Sequence, residues 1–287
     1  MKNLKYYLDK AYKEGWAIGQ FNFSDWSQVR GIVQAAQNMK SPIILGTSEG
    51  EAKFVGLQEA VAMRDALRKK TGVPIFLNLD HGKSVDYLKE AVAAGYDMIH
   101  FDGSKLPLDE NIKKSVEVVA FGKWKGIVVE GEVGRFGTDA SKLYTEKFQI
   151  KEEDLTKVDE AKEYLKKAHI DVMAVSIGTF HGIDASGVSP HLKLDRLKDL
   201  KENVGIAMVL HGGSGTPEED IKEGIKLGIV KININTETRL AYTKTLRNTL
   251  DANKDQITPY KYLQNSINEV QKVIEEKIKL FGSEGKA

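Results

Sequence analysis

The sequence predicts a TIM (β/α)8 barrel in a single domain, residues 1–287, with additional C-terminal helices. Three observations predict it. Short apolar, β-branched runs alternate with segments of helical period, eight such runs occur, and no Pro-rich or Gly/Ser-rich linker divides the chain. The length of 287 residues also suits this fold, which typically takes about 250. An open doubly wound sheet is the alternative, but it seldom continues through eight strict repeats.

The predicted strands are the apolar runs, and the predicted helices are the longer segments between them. The strands are expected at 17–23, 42–47, 73–79, 97–102, 126–132, 171–177, 205–210 and 229–234. The helices are expected at 24–38, 56–71, 84–94, 108–123, 159–168, 193–203 and 216–227, with an eighth after Thr236. A C-terminal helical pair over 258–281 carries Val270, Ile274 and Ile278 at helical spacing. The connection 134–158 is long enough to predict a lid, with a surface insertion as the alternative.

Composition excludes several kinds of protein. Lys and Arg number 42 and Asp and Glu 41, so no overall field attracts nucleic acid or an anionic membrane. Cysteine is absent, which removes thiolate metal sites and cysteine nucleophiles. Residues 1–15 have no apolar signal core, and no apolar run reaches membrane-spanning length, so a cytoplasmic location is expected.

Three histidines follow predicted strands at the end of a barrel where active sites lie. His81 follows the third strand, His181 the sixth and His211 the seventh, each beside glycine. Three imidazoles with one open position are typical of catalytic Zn²⁺, so these residues are predicted to bind a metal ion. The alternative is that each histidine satisfies a buried polar network. His100, His169 and His191 are not expected to bind metal.

Two segments near the last strands predict a phosphate site. The run 212–215 is Gly-Gly-Ser-Gly and leads into Thr216-Pro217, where a helix start would aim backbone amides at an anion. The run 233–236, Asn-Ile-Asn-Thr, ends the eighth strand. Barrels often bind phosphate in the loops after strands seven and eight, although a Gly-rich loop can also be only a tight turn.

The motifs 80–82 (Asp-His-Gly), 178–182 (Gly-Thr-Phe-His-Gly), 211–215 (His-Gly-Gly-Ser-Gly) and 231–236 (Lys-Ile-Asn-Ile-Asn-Thr) resemble, in order and spacing, the class II fructose-bisphosphate and tagatose-bisphosphate aldolase family. Further likeness in 20–22, 102–107, 130–134 and 280–283 extends the resemblance over nearly the whole chain. It implies metal-dependent, reversible cleavage of a ketose 1,6-bisphosphate, most directly fructose 1,6-bisphosphate, to dihydroxyacetone phosphate and glyceraldehyde 3-phosphate.

The resemblance also implies roles for individual residues. Asp80 matches the acid that moves the proton of the C4 hydroxyl, and Glu132 matches an acidic residue near the metal. Zn²⁺ is expected as one ion per subunit, with Na⁺ or K⁺ as an additional cation, and the chain is expected to form a homodimer or homotetramer. The positions that match substrate contacts are Asn22, Ser48, Gly182, Gly212, Gly213, Ser214, Asn233, Ile234, Asn235 and Thr236.

Departures from the family pattern leave parts of the function open. Residues 137–141 replace the usual Gly-Gly-x-Glu-Asp loop, so Asp139 or Glu146 is left as a candidate for the C3 proton. Tyr260-Lys261 stands where many members have an arginine for the distal phosphate. Neither these positions nor Asn235 assigns the sugar, so a tagatose-bisphosphate or other phosphoketose aldolase remains an alternative.

Three other classes compete with this interpretation. A metal-dependent hydrolase barrel would show a His-x-His pair after the first strand, where this chain has Gln20-Phe21-Asn22. A sugar-phosphate binding protein would not need both Asp80 and three metal histidines. A class I aldolase would use a Schiff-base lysine, for which Lys231 is the candidate.

Overall fold

The computed structural model describes residues 1–135, 150–180, 182 and 190–287. Over these residues eight parallel strands form a closed barrel in chain order, with β8 hydrogen-bonded to β1. The strands are β1 (Ile18–Asn22), β2 (Ile43–Ser48), β3 (Ile75–Gly82), β4 (Met98–Phe101), β5 (Val128–Val133), β6 (Val172–Val175), β7 (Met208–Leu210) and β8 (Ile229–Ile234). The predicted TIM barrel is therefore confirmed.

Helices surround the barrel and separate its strands. Before β6 the chain forms α1 (Leu4–Glu14), α2 (Trp26–Met39), α3 (Glu49–Val55), α4 (Leu57–Thr71), α5 (Val85–Ala94), α6 (Leu108–Lys125) and α7 (Val158–Ala168), with a 3₁₀ turn at Glu152–Asp154. After β6 come α8 (Leu194–Val204), α9 (Glu218–Lys226), α10 (Thr236–Ala252), α11 (Pro259–Tyr262) and α12 (Gln264–Leu280). Within the described ranges, no helix combines the length and apolar character needed to cross a membrane.

Helix α1 closes the N-terminal end of the barrel. Its Leu4, Tyr7, Leu8 and Ala11 pack with inward-facing strand residues, among them Phe76. Asn3 caps the helix by accepting a hydrogen bond from the backbone amide of Tyr6 at 3.0 Å. Since one end of the barrel is filled by an apolar cluster, the C-terminal ends of the strands are left for a polar site.

The connection after β2 differs from the prediction of one helix at 56–71. The chain forms α3 and then α4, separated by Gly56 at φ +92°, a conformation that favours glycine. Ser48 and Glu51 form a capping box that starts α3 directly at the end of β2. The rim of the barrel therefore carries a short helix that the apolar pattern did not indicate.

The predicted C-terminal pair is confirmed as α11 and α12. Val270, Ile274 and Ile278 are fully buried on α12, which packs against α2. A Cβ atom on Gly31 of α2 would lie 2.7 Å from the carbonyl oxygen of Ile267, so glycine permits this close approach. The additional helices thus form one layer with the outer helices of the barrel.

Strand β3 is longer at its C-terminal end than the predicted 73–79. It continues to Gly82 because Asp80 pairs with Ser48 of β2 and Gly82 pairs with Phe101 of β4. The register with β4 then shifts between Leu79 and Gly82, and His81 adopts φ +52°, uncommon for a residue with a side chain. Asp80 and His81 therefore lie on an irregular strand end, not in a loop.

Candidate active site

His81 and His211 meet at the mouth of the barrel. The Nε2 atom of His81 lies 2.9 Å from the Nδ1 atom of His211. The other ring nitrogens face carboxylates: His81 Nδ1 lies 3.0 Å from Asp102, and His211 Nε2 lies 2.6 Å from Glu130. If these two nitrogens carry the protons, two imidazole lone pairs converge on one point.

This convergence fits a metal ion. Imidazole nitrogens that face one point are suited to hold a divalent metal ion once neither of them carries a proton. Burial, followed by the positive charge of His81, lowers the pKa of His211 to about 3, so this imidazole is neutral, as a ligand must be. Burial alone would lower the pKa of His81, but Asp80 and Asp102 raise it, so His81 has to give up its proton when a metal ion binds. Asp80, His81, His100 and His211 place ligand atoms within 4.8 Å of one another, and so do His81, Asp102 and Glu132.

The other histidines differ in their surroundings. His181, predicted as the third ligand, lies outside the described residues. His191 pairs with Asp220 at 3.0 Å, and His169 ends α7 as a C-cap with φ +55°. His100 was not expected to take part in a site, yet its ring centre lies 4.6 Å from that of His81 and 4.8 Å from that of His211.

His100 supports the strand end that carries His81. Its Nδ1 atom accepts a hydrogen bond from the backbone amide of His81 at 3.1 Å, which helps to hold that residue at positive φ. Its Nε2 atom lies 3.1 Å from Glu132 Oε2, although the geometry is not that of a hydrogen bond. The structure therefore brings His100 into the site, and metal binding by it is untested.

Asp80 is held by amide groups from two other strands. Its Oδ2 atom accepts a hydrogen bond from Asn22 at 3.1 Å, and its Oδ1 atom accepts one from Asn233 at 3.0 Å. Burial alone would raise the pKa of Asp80, but the charge of His81, among other groups, holds it well below its usual range. The carboxylate is therefore ionised and fixed beside the histidine pair.

Glu132 is buried at the end of β5, with 1% of its side chain exposed. Burial, and then the charge of Asp102, raises its pKa. Its Oε2 atom lies 3.7 Å from His81 Nδ1 and has no hydrogen-bond partner among the described residues. Glu132 thus lies beside His81, and its carboxyl group is placed to take a proton or a cation.

The Gly-rich loop 212–215 packs against the ends of β6 and β8. Gly212 has φ +65°, and a Cβ atom there would lie 2.3 Å from the carbonyl oxygen of Phe180. The amide of Gly213 donates to the carbonyl of Asn233, and the amide of Gly215 donates to Glu237 Oε1 at 2.6 Å. These contacts fix the loop beside the start of α10, where Thr236 and Ser214 are buried.

The helix after β7 is a poorer anion site than the sequence indicated. Helix α9 begins at Glu218, not Thr216, and its first turn holds Glu218, Glu219 and Asp220. Negative side chains in that turn already interact favourably with the helix dipole and would repel a phosphate. The start of α10 and the Gly-rich loop are the other predicted anion-binding elements, and the first turn of α10 carries one acidic residue, Glu237, which accepts a hydrogen bond from the Gly215 amide.

Several buried oxygens in this region have no hydrogen-bond partner among the described residues. They are Thr179 Oγ1, Asn233 Oδ1 and Asn235 Oδ1. Buried polar groups are rarely left unsatisfied, so such atoms indicate a ligand with donors or a cation. Two other predicted substrate contacts are also buried. Gly182 adopts φ +97°, and Ile234 lies at the end of β8.

The sequence matches the family described as fructose-bisphosphate aldolase class-II over residues 2–286. The chain belongs to this family. It is 37% identical to the fructose-bisphosphate aldolase of Streptococcus pneumoniae, with 98% of this chain and 97% of that protein aligned. It is also 37% identical to the 6-phospho-5-dehydro-2-deoxy-D-gluconate aldolase of Shouchella clausii, with 98% and 94% aligned. The crystal structure of the YdjI aldolase from Escherichia coli K12 superposes with a TM-score of 0.84 at 30% identity, covering 100% and 99% of the two chains.

Class II fructose-bisphosphate aldolases are lyases, so the chain is an enzyme of that class. The family is generally metal-dependent, and the histidine and aspartate cluster at the barrel mouth can bind a metal ion. The resemblance deduced from the sequence motifs is therefore confirmed.

Besides His100, the acidic residues Asp102 and Glu130 were not predicted as parts of this aldolase site from the sequence, and Lys231 was considered only as a Schiff-base lysine. Asp102 bonds to His81, and Glu130 bonds to both His211 and Lys231. A signal for Glu130 and Lys231 was available, because a charged residue inside an apolar strand is rarely buried without a partner. The candidate loop acids Asp139 and Glu146 lie outside the described residues.

Proposed function

We propose that this aldolase reversibly cleaves a ketose 1,6-bisphosphate, most directly fructose 1,6-bisphosphate, to dihydroxyacetone phosphate and glyceraldehyde 3-phosphate. The observation that carries the proposal is the meeting of His81 Nε2 and His211 Nδ1 at 2.9 Å beside the ionised carboxylate of Asp80. A divalent ion bound there, which we propose to be Zn²⁺, would polarise the C2 carbonyl of the substrate. His181 is proposed as the third ligand on the strength of its family motif.

The protein groups then divide the proton transfers. Asp80 takes the proton of the C4 hydroxyl, the C3–C4 bond breaks, and its electron pair moves towards C2, which releases the aldehyde. Asn22 and Asn233 hold both oxygens of Asp80 and so aim the carboxylate at the substrate. Glu132, raised in pKa and buried, supports the site from β5.

The phosphate of the dihydroxyacetone half is proposed to bind Gly212, Gly213, Ser214 and the start of α10 at Asn235 and Thr236. Backbone amides at a helix start are suited to an anion. The partnerless oxygens of Thr179, Asn233 and Asn235 support a hydroxyl contact or a monovalent cation, Na⁺ or K⁺, in the same region. For Ser48, the hydroxyl is engaged by the amide of Glu51 at 3.3 Å, so substrate contact there would have to compete with the helix cap.

A second substrate class is supported by one specific feature. Tyr260 is 71% exposed on α11 at the position where an arginine for the distal phosphate is common in the family. The relative named for 6-phospho-5-dehydro-2-deoxy-D-gluconate, a substrate with a single phosphate, is as similar as the fructose-bisphosphate aldolase, at 37% identity each. Tagatose 1,6-bisphosphate remains a further candidate.

The test is cleavage of the three substrates side by side, with and without a chelator and with Zn²⁺ add-back. Fructose 1,6-bisphosphate cleavage that is lost on chelation and restored by Zn²⁺ supports the proposal. Higher kcat/KM for either alternative substrate would reassign the sugar while keeping the metal mechanism. Cleavage that persists without metal would refute that mechanism.

Assembly and location are separate proposals. We expect a homodimer or homotetramer, which light scattering after size-exclusion chromatography would measure. The cytoplasmic location stays a prediction, to be checked by cell fractionation.

A further inference from the structure

Three buried side chains, Lys231, Glu130 and His211, are hydrogen-bonded in series inside the barrel, and we call this series the relay. Lys231 on β8 and Glu130 on β5 are both fully buried, with Lys231 Nζ 2.8 Å from Glu130 Oε2. The second carboxylate oxygen, Oε1, lies 2.6 Å from His211 Nε2. One carboxylate thus connects the lysine of one strand to the histidine of another.

The position of this pair is not explained by stability alone. Replacing a buried ion pair by apolar residues of similar volume is often neutral or stabilising, because desolvation offsets the attraction of the charges. Apolar side chains already fill the barrel next to α1. A pair kept at the centre of the barrel therefore calls for a role beyond packing.

We propose that Glu130 and Lys231 are positioning residues that set the tautomer and orientation of His211 for metal binding. Glu130 accepts the Nε2 proton of His211, which leaves Nδ1 as the donor atom facing His81 Nε2. Lys231 bonds to the other oxygen, so Glu130 cannot turn away from His211 or bind the metal in its place. The inference rests on the proposed metal site and adds the residues that prepare it.

The alternative arrangement shows why the relay matters. If His211 carried its proton on Nδ1, that proton would point at His81 Nε2, only 2.9 Å away, and would block the metal. In a protein, the tautomer of a neutral imidazole is set by the hydrogen bond made by its other nitrogen, which here is the bond of His211 Nε2 to Glu130. Outer partners of this kind typically contribute 10–100-fold to metal affinity.

Two double variants test the proposal. Glu130→Leu/Lys231→Met removes both charges and the acceptor, whereas Glu130→Gln/Lys231→Met removes the charges but keeps an oxygen that can accept the His211 proton. Dissociation constants for Zn²⁺ would be measured by chelator competition, and the visible spectrum of bound Co²⁺ would report ligand geometry. Circular dichroism of the metal-free proteins would establish folding. Asp97→Asn, at the opposite end of the barrel, is the control.

The leucine variant is expected to bind Zn²⁺ 10–100-fold more weakly, with an altered Co²⁺ spectrum, and the glutamine variant is expected to recover part of that loss. If the leucine variant does not fold, the glutamine variant decides: wild-type affinity and spectrum in it would show that neither the carboxylate charge of Glu130 nor its bond to Lys231 positions His211, which would overturn the roles proposed for the pair. Wild-type affinity in a folded leucine variant would do the same. Failure of the wild-type protein to bind any metal would instead refute the proposed function.

Discussion

Asn233 Nδ2 donates a hydrogen bond to Asp80 Oδ1 at 3.0 Å and so ties the end of β8 to the end of β3. Asn22 makes the corresponding bond to the other oxygen from β1. With both oxygens held by amide donors, the carboxylate keeps one orientation beside the histidine pair. The elements that would bind phosphate and the proposed base are thereby coupled through the same asparagine, which also lies 3.3 Å from His211 Nδ1.

The first prediction concerns Asp80. Asp80→Asn keeps the size of the side chain but removes the base, so we expect kcat to fall about 10²–10⁴-fold. Metal content should stay at the wild-type level, measured by atomic emission on the purified proteins. Ser84→Ala is the matched control. Ser84 lies shortly after Asp80 in the sequence but caps α5, so this variant should keep kcat. Near-normal turnover by the asparagine variant would remove Asp80 from the mechanism.

The second prediction separates the metal-binding histidines from the others. His81→Ala and His211→Ala should each lose bound metal and activity, because removing one of few ligands leaves an incomplete site. His191→Ala should retain both, since its side chain is 75% exposed and pairs with Asp220. His100→Ala is informative in its own right: metal loss would make it a ligand, and retained metal would leave it as a support for the His81 backbone. Full metal content in both His81→Ala and His211→Ala would contradict the assigned site.

The third prediction addresses the class I mechanism. Lys231 is fully buried and its ammonium group bonds to Glu130 at 2.8 Å, so it is a charged partner and not an available amine. Borohydride reduction in the presence of substrate should leave the mass of the intact chain unchanged. Mass spectrometry that located a reduced adduct on Lys231 would overturn the metal-dependent mechanism.

The order of the strands and the residues at their ends could be predicted from sequence because both are local patterns. His81 and His211 follow apolar runs and precede glycine, Asp80 directly precedes His81, and a barrel brings such positions to one rim. The buried residues that contact these side chains could be identified only from the register between neighbouring strands. His100 on β4 pairs with Glu130 on β5, so the two side chains lie next to each other inside the barrel. The residue pattern of one strand does not reveal which residue of the next strand lies beside it.

Local backbone geometry was the second feature that the sequence did not predict. The prediction ended the third strand at 79, but pairing with β2 and β4 extends it through the polar residues Asp80 and His81 to Gly82. The capping box of Ser48 and Glu51 was overlooked because α3 is short and has little apolar periodicity. In both places a hydrogen-bonded contact, and not the apolar pattern, decides where the element begins or ends.

The last prediction is that the end of the barrel away from the active site affects stability without affecting catalysis. Asp97 precedes β4 and accepts hydrogen bonds from Arg64 at 2.7 Å, Arg68 at 2.8 Å and the amide of Leu77 at 2.9 Å. Arg64 is nearly buried, so Asp97→Ala would remove the more buried of its two carboxylate partners and leave the amide of Leu77 without its acceptor.

We expect this variant to lose about 2–4 kcal/mol of unfolding free energy, somewhat less than a fully buried pair because Asp97 is 21% exposed. Urea denaturation would measure the loss, and kcat and metal content at 25 °C should equal those of the wild type. Asp65→Ala is the control, since Asp65 contacts the same arginine but is 56% exposed and should cost less than about 1 kcal/mol. An Asp97→Ala protein of normal stability but reduced kcat would reverse the division of roles, because it would place a catalytic contribution at the N-terminal end of the strands.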